Sequence, residues 1–415
     1  MSPLYSAIWV QGTQNGRSDT QGMDSKGQSS HKETEDRCQA RPLKVALAVG
    51  RGRVAGTERH VLELARALDG QKVKVTVLFF SEGELVDKLR SEGFPVFVFR
   101  KRARLDPILL IGLVRFFKRA CFDVVHGHPE RIACLAAKLA GVPAVLMTYH
   151  VLGSQASDSI EPNWFWLAVE KLRALAVDFT IAVSELDARV LIERFARKPE
   201  KVRFIGNGIT PSAIPVDEKE KICRVFGLSP SGPLLCTVAR LSRQKGLDFL
   251  IRSMKEIVRA FPDAALLIVG EGELQGELKN LTSELGLASH VIFTGYREDV
   301  LGLIASSDLF VLPSLREGMP YSLLEAMLVS KPVVTTTVSS HVVSDGQTGI
   351  VVPPADSTAL AQAILRILGT PKLGLQMGRL GRERLEAHFS AEKMAGETFE
   401  VYNSILKKKR HAFRK

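Results

Sequence analysis

The chain has little cysteine and no long apolar run, and each absence excludes a class of protein. Five cysteines among 415 residues are scattered and lack the paired spacing of a zinc site. An odd, unpaired set argues against a disulfide framework and predicts reduced thiols. No stretch approaches the roughly 20 apolar residues that a bilayer-spanning helix needs. The apolar patch at residues 5–10 lacks the basic flank and cleavage site of a secretory signal, so we expect a cytoplasmic protein.

The first 42 residues are poor in apolar side chains. Gln, Ser, Gly, Asp and Lys dominate residues 11–41, which leaves almost nothing to bury in a core. This composition is typical of disorder, so we predict a disordered tail over residues 1–42.

The rest of the chain contains enough apolar residues for two cores. Hydrophobic residues make up 45% of the sequence, and 415 residues exceed what one core usually supports. Apolar strands alternate with helical stretches in both halves, which indicates an α/β fold with parallel sheets. We predict domains at residues 43–212 and 213–390, followed by a helix with a basic tail at 391–415.

Positive charge is concentrated in the first domain, where 26 Lys and Arg face 18 Asp and Glu over residues 43–212. A cationic segment, residues 100–104, precedes an apolar stretch at residues 108–119 that contains Arg115, Lys118 and Arg119. Such a helix suits an anionic membrane surface, although a sheet-packed helix with solvated basic residues has the same pattern. We do not expect nucleic acid as a partner, because no recognised binding module accompanies the charge.

Two carboxylates flank a predicted helix start in the second half. The apolar run at residues 308–313 predicts a strand, and the helix begins near Tyr321, so Glu317 and Gly318 belong to the strand-to-helix turn. Glu325 follows about one helical turn further along. Ligands of open α/β sheets gather at such an edge, and a carboxylate there can accept hydrogen bonds from sugar or ribose hydroxyls. The alternative is that Glu317 caps the helix and Glu325 is a solvated surface residue.

A second strand end carries positive charge. Residues 234–239 predict a strand that leads into Arg240 and Lys245 before another helix. A guanidinium and an ammonium at one strand end suit a diphosphate. Basic residues that merely solvate a loop are the alternative.

These two segments resemble the nucleotide-sugar half of glycosyltransferase family 4. That family has the GT-B fold, in which two Rossmann-like domains face each other. The similarity continues in order along the chain, through the motifs at residues 55–58, 122–128, 148–150, 182–185, 207–209, 269–272, 293–296 and 306–308.

The resemblance implies a role for each matching residue. On the donor side, Glu325 would bind the ribose, Arg240 and Lys245 would neutralise the diphosphate, and Glu317 would hold the sugar. His150 would contact the transferring sugar from the first domain. The remaining residues implied to line the crevice and bind substrate are Gly56, His128, Ser184, Gly270, Tyr296, Gly318, Met319 and Pro320.

The resemblance also implies the reaction. The family retains the anomeric configuration and is usually metal-independent, so we expect no metal and no cofactor, with a nucleotide-sugar donor as substrate. The expected acceptor is a glycan or a lipid-linked hydroxyl, in envelope polysaccharide, lipopolysaccharide or glycolipid synthesis. The basic first domain suggests peripheral binding to the inner face of a membrane.

The sequence departs from the family pattern at three places. Ala55 replaces one of two adjacent glycines, and Thr210 replaces an acidic residue. The loop at residues 335–346 is shorter, lacks paired glycines and has His341 where the family has glutamate. A catalytically impaired nucleotide-sugar-binding protein and a nucleotide-sugar epimerase therefore stay as alternatives. A dinucleotide dehydrogenase is disfavoured, because no Gly-x-Gly-x-x-Gly follows the first strand.

Overall fold

We analysed a computed structural model, which describes residues 41–50, 52, 56–69, 73–101, 106–150, 175–195, 197–211, 213 and 216–413. The predicted disordered tail falls outside these residues, apart from positions 41 and 42. Ala55 also falls outside them.

The first sheet has seven parallel strands in the order β3-β2-β1-β4-β5-β6-β7. Its central strands are buried on both faces, as in sheets covered by helices on either side. The order reverses between β1 and β4, which creates a crevice at their carboxyl ends. The strands are β1 (Leu43–Val49), β2 (Val73–Phe79), β3 (Val96–Val98), β4 (Val124–His128), β5 (Ala144–Tyr149), β6 (Phe179–Ala182) and β7 (Val202–Phe204).

The helices described in this first region start with clear local signals. Pro107 occupies the first turn of α3, and the Asp106 carboxylate accepts a hydrogen bond from the Leu109 amide at 2.9 Å. Leu113 and Phe117, on the same face as Leu109, are buried against the sheet. The helices are α1 (Gly56–Asp69), α2 (Glu84–Ser91), α3 (Pro107–Ala120), α4 (Arg131–Leu139) and α5 (Glu185–Glu193).

The second sheet has six parallel strands in the order β10-β9-β8-β11-β12-β13. Its order reverses between β8 and β11, so a second crevice edge lies at the ends of those strands. The strands are β8 (Leu234–Val238), β9 (Ala265–Val269), β10 (Val291–Gly295), β11 (Leu309–Leu312), β12 (Val333–Thr336) and β13 (Ile350–Val352). The helices are α6 (Lys219–Phe226), α7 (Leu247–Ala260), α8 (Gln275–Glu284), α9 (Val300–Ala305), α10 (Tyr321–Leu328), α11 (Ser357–Leu368) and α12 (Pro371–His388).

The chain passes between the two α/β regions twice, and the two passages lie side by side. The Ile209 amide donates to the Phe389 carbonyl at 3.0 Å, and the Ala391 amide donates to the Ile209 carbonyl at 3.2 Å. Gly208 is required here, since a Cβ atom would lie 2.3 Å from the Ser390 carbonyl oxygen. The two passages therefore form one hydrogen-bonded connection.

The last helix, α13 (Ala391–Phe413), packs on the first region rather than on the second. Met394, Val401 and Tyr402 belong to the same buried cluster as the apolar residues of α1 and β1. The Tyr402 hydroxyl also hydrogen-bonds His126 Nδ1 at 2.8 Å. Helix α13 thus completes the core of the first region.

Within the described part of the chain, no helix combines the length and apolar character needed to traverse a bilayer.

Candidate active site

A single crevice of about 1680 Å³ is lined by the carboxyl-end edges of both sheets. It includes both points at which the strand order reverses, β1/β4 and β8/β11. Pockets for one drug-sized ligand usually measure about 300–1,000 Å³, so this crevice is large enough for two substrates at once.

The first wall is built from loops after β1, β4 and β5. Gly56 begins α1 at the crevice, and no atom of the described residues lies within 4 Å of the position that its Cβ would occupy. His128 ends β4 and His150 follows β5, and both side chains line the same crevice. The two predicted histidines lie close together, with 3.4 Å between His128 Nδ1 and His150 Nε2.

The neighbouring histidine, His126, has a structural role. Its Nδ1 bonds the Tyr402 hydroxyl at 2.8 Å and its Nε2 bonds Thr148 Oγ1 at 2.7 Å. Both ring nitrogens are therefore occupied, and the fully buried ring fixes α13 to the end of β4.

A further histidine, His60 on α1, joins this cluster. Its ring centroid lies 5.1 Å from that of His128 and 4.7 Å from that of His150. His60 Nδ1 bonds Asn207 Oδ1 at 2.9 Å, and Asn207 in turn donates its side-chain amide to the Met319 carbonyl at 2.7 Å. Sequence reasoning missed His60. The available signal was a histidine on the apolar face of α1, one turn after Gly56.

Burial keeps the histidines of this cluster neutral. Desolvation lowers the pKa of His60 to about 4, although its hydrogen bond to Asn207 Oδ1 opposes the change. Desolvation, together with the neighbouring imidazoles, also lowers the pKa values of His128 and His150 well below the usual value. At pH 7 these rings are uncharged imidazoles.

The second wall carries the predicted charged residues. Lys245 Nζ lies 2.6 Å from Glu317 Oε1, and the side chains are 18% and 5% exposed. The Ser314 hydroxyl donates to the same Glu317 oxygen at 2.6 Å. Arg240 also lines the crevice, but its guanidinium is exposed and pairs with Glu273 at 3.0 Å. The structure thus brings Arg240, Lys245 and Glu317 to one edge, with both cations paired to carboxylates.

Glu325 faces the crevice from the second turn of α10, as the carboxylate spacing predicted. Burial raises the pKa of Glu325 to about 7, while nearby Arg59 opposes and Glu63 reinforces the rise. Arg59, whose part in this site the sequence did not reveal, lies on α1 in the first region. Glu325 is therefore a partly buried carboxylate that gains from a hydrogen-bonding ligand.

The turn between β11 and α10 touches the first region as well as the crevice. A Cβ on Gly318 would lie 2.0 Å from the His150 carbonyl oxygen, so only glycine fits. Met319 is buried, and its Sδ lies 2.9 Å from the backbone nitrogen of Asn207. Pro320 precedes α10 in extended conformation and lines the crevice.

Gly270 and Tyr296 lie at the far end of the second wall. Gly270 has a φ of 128° and approaches the Ala239 carbonyl so closely that a Cβ would lie 2.2 Å from it. Tyr296 is 53% exposed and lines the crevice beside Gly270. Both residues therefore lie at the crevice, at the ends of β9 and β10.

Ser184 has a different place from the other predicted residues. Its side chain is buried, and its hydroxyl caps α5 by accepting a hydrogen bond from the Asp187 amide at 3.1 Å. It is not among the described residues that line the crevice. A serine before a helix is a common cap, and this local role accounts for the residue.

The shortened loop at residues 335–346 lies next to the Glu317–Pro320 turn. Burial lowers the pKa of His341, although a hydrogen bond to the Gly318 backbone opposes the change. Arg384 holds the loop by donating to the carbonyls of Val342, at 2.8 Å, and His341, at 3.2 Å. The loop supports the turn, and no residue from it is among those described as lining the crevice.

Comparison with known proteins identifies the family. Residues 54–213 match Glycosyltransferase Family 4, and residues 232–370 match Glycosyl transferases group 1. Alpha-D-kanosaminyltransferase of Streptomyces kanamyceticus is 30% identical over 334 residues, which cover 76% of this chain and 83% of that enzyme. The chain belongs to glycosyltransferase family 4.

Other comparisons agree with this assignment. The glycosyltransferase is 27% identical over 372 residues to an Escherichia coli enzyme, UDP-Gal:alpha-D-GlcNAc-diphosphoundecaprenol alpha-1,3-galactosyltransferase, covering 85% of this chain and 95% of the relative. The crystal structure of Anabaena Alr3699/HepE in complex with UDP and glucose superposes with a TM-score of 0.76 at 20% identity, covering 87% of this chain and 100% of that one. This likeness confirms the predicted GT-B fold.

Proposed function

We propose that this glycosyltransferase moves a sugar from a nucleoside diphosphate sugar to an acceptor hydroxyl with retention of anomeric configuration. The observation that carries the proposal is the Lys245–Glu317 pair at the edge of the second sheet, with Glu325 one turn into α10. The crystal structure of the Anabaena protein with UDP and glucose, which has the same fold, supports this donor class.

The donor is proposed to change the partners of the charged residues. The diphosphate replaces Glu317 as the partner of Lys245, and it draws the exposed Arg240 away from Glu273. Glu317 is then free to accept hydrogen bonds from sugar hydroxyls, while Glu325 accepts them from the ribose. No metal is needed for this neutralisation, because two cations already face the diphosphate.

The same cations stabilise the leaving group. Negative charge builds on the diphosphate as the glycosidic bond breaks, and fixed positive groups lower the energy of that transition state. His150 contacts the transferring sugar from the opposite wall. A donor phosphate oxygen accepts the proton of the attacking hydroxyl on the same face of the sugar, which gives retention without a covalent intermediate.

The proposed acceptor is a lipid-linked glycan of envelope polysaccharide or glycolipid synthesis. The Escherichia coli relative acts on a diphosphoundecaprenol-linked sugar, as its name states. The first region also has a surface suited to such an acceptor, which we call the α3–α4 face. It comprises the outward side chains of two adjacent helices: Ile108, Ile111, Arg115, Lys118, Arg119, Leu135, Lys138 and Leu139.

The α3–α4 face combines exposed apolar and basic side chains. Ile108 and Ile111 are 60% and 52% exposed, and Leu135 and Leu139 are 42% and 58% exposed. The sheet covers the buried face of α3, and Ile108 and Ile111 lie outside that core. We propose that this face docks on an anionic membrane, where apolar residues insert and cations contact lipid phosphates.

A screen of nucleotide sugars tests the donor proposal. Thermal shift and donor hydrolysis are measured for the wild type, Glu325→Ala and Lys245→Ala, with Arg252→Ala on the exposed side of α7 as control. We expect one donor to raise the melting temperature of the wild type and the control only. These two proteins should also be the ones that slowly hydrolyse it. Binding without turnover, even with lipid-linked acceptors present, would favour the impaired binding protein. Donor isomerisation without acceptor would favour an epimerase.

Co-sedimentation with liposomes tests the docking proposal. The double variant Ile108→Ser/Ile111→Ser should lose most binding to vesicles containing anionic lipid, because it removes the exposed apolar pair. Leu375→Ser, which removes a leucine that is 75% exposed on α12, should bind like the wild type. Binding that ignores both lipid charge and the double substitution would contradict the proposal.

A further inference from the structure

Three imidazoles from separate elements meet beside the crevice. His60 comes from α1, His128 from the end of β4 and His150 from the residue after β5. Each offers one ring nitrogen, and these three nitrogens lie within 4.8 Å of one another. The resemblance implies a sugar contact for His150 and a crevice position for His128, and it gives no role to His60 or to the mutual arrangement of the three rings.

The spacing of the nitrogens suits metal coordination. A tetrahedral zinc ion with Zn–N bonds of about 2.0–2.1 Å holds its ligand nitrogens about 3.3 Å apart. His128 Nδ1 and His150 Nε2 are already 3.4 Å apart. The ligand nitrogen of His60 lies within 4.8 Å of the other two.

The hydrogen bonds around the cluster also favour a ligand role. His60 Nδ1 is engaged by Asn207 Oδ1, which leaves Nε2 as its ligand atom, and such a partner commonly orients a metal-binding histidine. By contrast, His126 uses both nitrogens in hydrogen bonds and is unsuited to bind an ion.

We propose that His60, His128 and His150 bind one divalent transition-metal ion, with zinc as the best match, at the first wall of the crevice. Three neutral imidazoles are a common zinc ligand set and leave a fourth position open. Since His128 and His150 line the crevice, that position faces the substrates. The site is separate from the cations Arg240 and Lys245 on the opposite wall.

Metal binding is measured on the full chain without donor, so the result does not depend on the proposed sugar contact. Calorimetric titration with Zn²⁺ after chelator treatment should give one site per chain. His60→Gln and His128→Gln should each weaken binding at least tenfold. His388→Gln, which removes an exposed imidazole from the end of α12, should bind zinc like the wild type. Equal zinc binding by all four proteins, or no binding by the wild type, would overturn the proposal.

A spectroscopic measurement covers the case in which a buried-histidine variant fails to fold. Wild-type protein titrated with Co²⁺ should develop the intense visible absorption of a tetrahedral or five-coordinate site, and one equivalent of Zn²⁺ should abolish it. A weak, octahedral spectrum that zinc leaves unchanged would show that the ion binds elsewhere.

Zinc should also inhibit transfer, because an ion on His150 Nε2 occupies the imidazole that is proposed to contact the sugar. Excess chelator should restore activity.

Discussion

At the scale of single residues, the crevice contains charged groups that lack their best partners. Lys245 and Glu317 neutralise each other at 2.6 Å, and Glu325 stays partly buried near Glu63 with only Arg59 to offset the repulsion. A nucleotide sugar offers phosphates to the lysine and hydroxyls to both carboxylates. The buried Glu325 carboxylate thus lowers the stability of the free protein, and a bound donor can supply the hydrogen bonds that it lacks.

The raised pKa of Glu325 has a consequence for stability. Since the folded pKa of about 7 exceeds the usual 4.5, the folded protein holds a proton that the unfolded chain releases between those pH values. Stability is therefore lost as the pH rises from 4.5 to 7. Glu325→Gln removes the buried charge, and we expect it to raise stability at pH 8 by up to about 3 kcal/mol.

Thermal melts at pH 4.5 and pH 8 check this expectation. Glu325→Gln should melt a few degrees above the wild type at pH 8 and close to it at pH 4.5. The control Glu256→Gln, on the exposed side of α7, should match the wild type at both values. The same gain at both pH values would mean that charge burial is not the cause.

At the scale of elements, the sequence predicted the strands well. The apolar runs at residues 234–239 and 308–313 appear as β8 and β11 with nearly the same bounds, because buried parallel strands are continuous in apolar residues. The positions of the residues at strand ends could be inferred from these strand predictions. His60 did not, because its contact with Asn207 joins residues 147 positions apart and depends on how α1 meets the connection between the domains.

Ser184 shows that a position after a strand does not by itself decide where a side chain points. Its position after a strand predicted a crevice residue, whereas the side chain caps α5. Ser184→Ala should lower stability by about 0.5–2 kcal/mol. The Michaelis constant for donor should stay unchanged, since no crevice contact is lost.

Denaturant unfolding and donor titration together check this prediction. Ser404→Ala serves as control, because it removes a half-buried hydroxyl that bonds the Val401 carbonyl inside α13 rather than a helix cap. A large rise in the Michaelis constant for Ser184→Ala, with unchanged stability, would restore the substrate role.

At the scale of the whole molecule, the two domains touch where the reaction is proposed to occur. Gly318 of the second domain packs against the His150 carbonyl of the first, and the double connection at Ile209 and Ser390 lies nearby. Domain closure is a common working motion for enzymes of this shape. The absence of a side chain at residue 318 permits this close approach.

Gly318→Ala tests that contact. A Cβ atom 2.0 Å from the His150 carbonyl forces the domains apart, so we expect kcat/KM to fall at least tenfold while each domain stays folded. Gly276→Ala adds a methyl group in open space on α8 and should act like the wild type. Small-angle scattering should show a larger radius of gyration only for Gly318→Ala. An unchanged radius with full activity would contradict the expectation.

The placement of α13 governs the order in which the protein can mature during synthesis. Met394, Val401 and Tyr402 complete a core that includes the apolar residues of α1 and β1, which lie more than 300 residues earlier in the chain. The second domain has all its strands once Val352 has left the ribosome. The amino-terminal half is made first, yet its core stays unfinished until α13 has been made, with the apolar face of α1 open to chaperones or to neighbouring nascent chains.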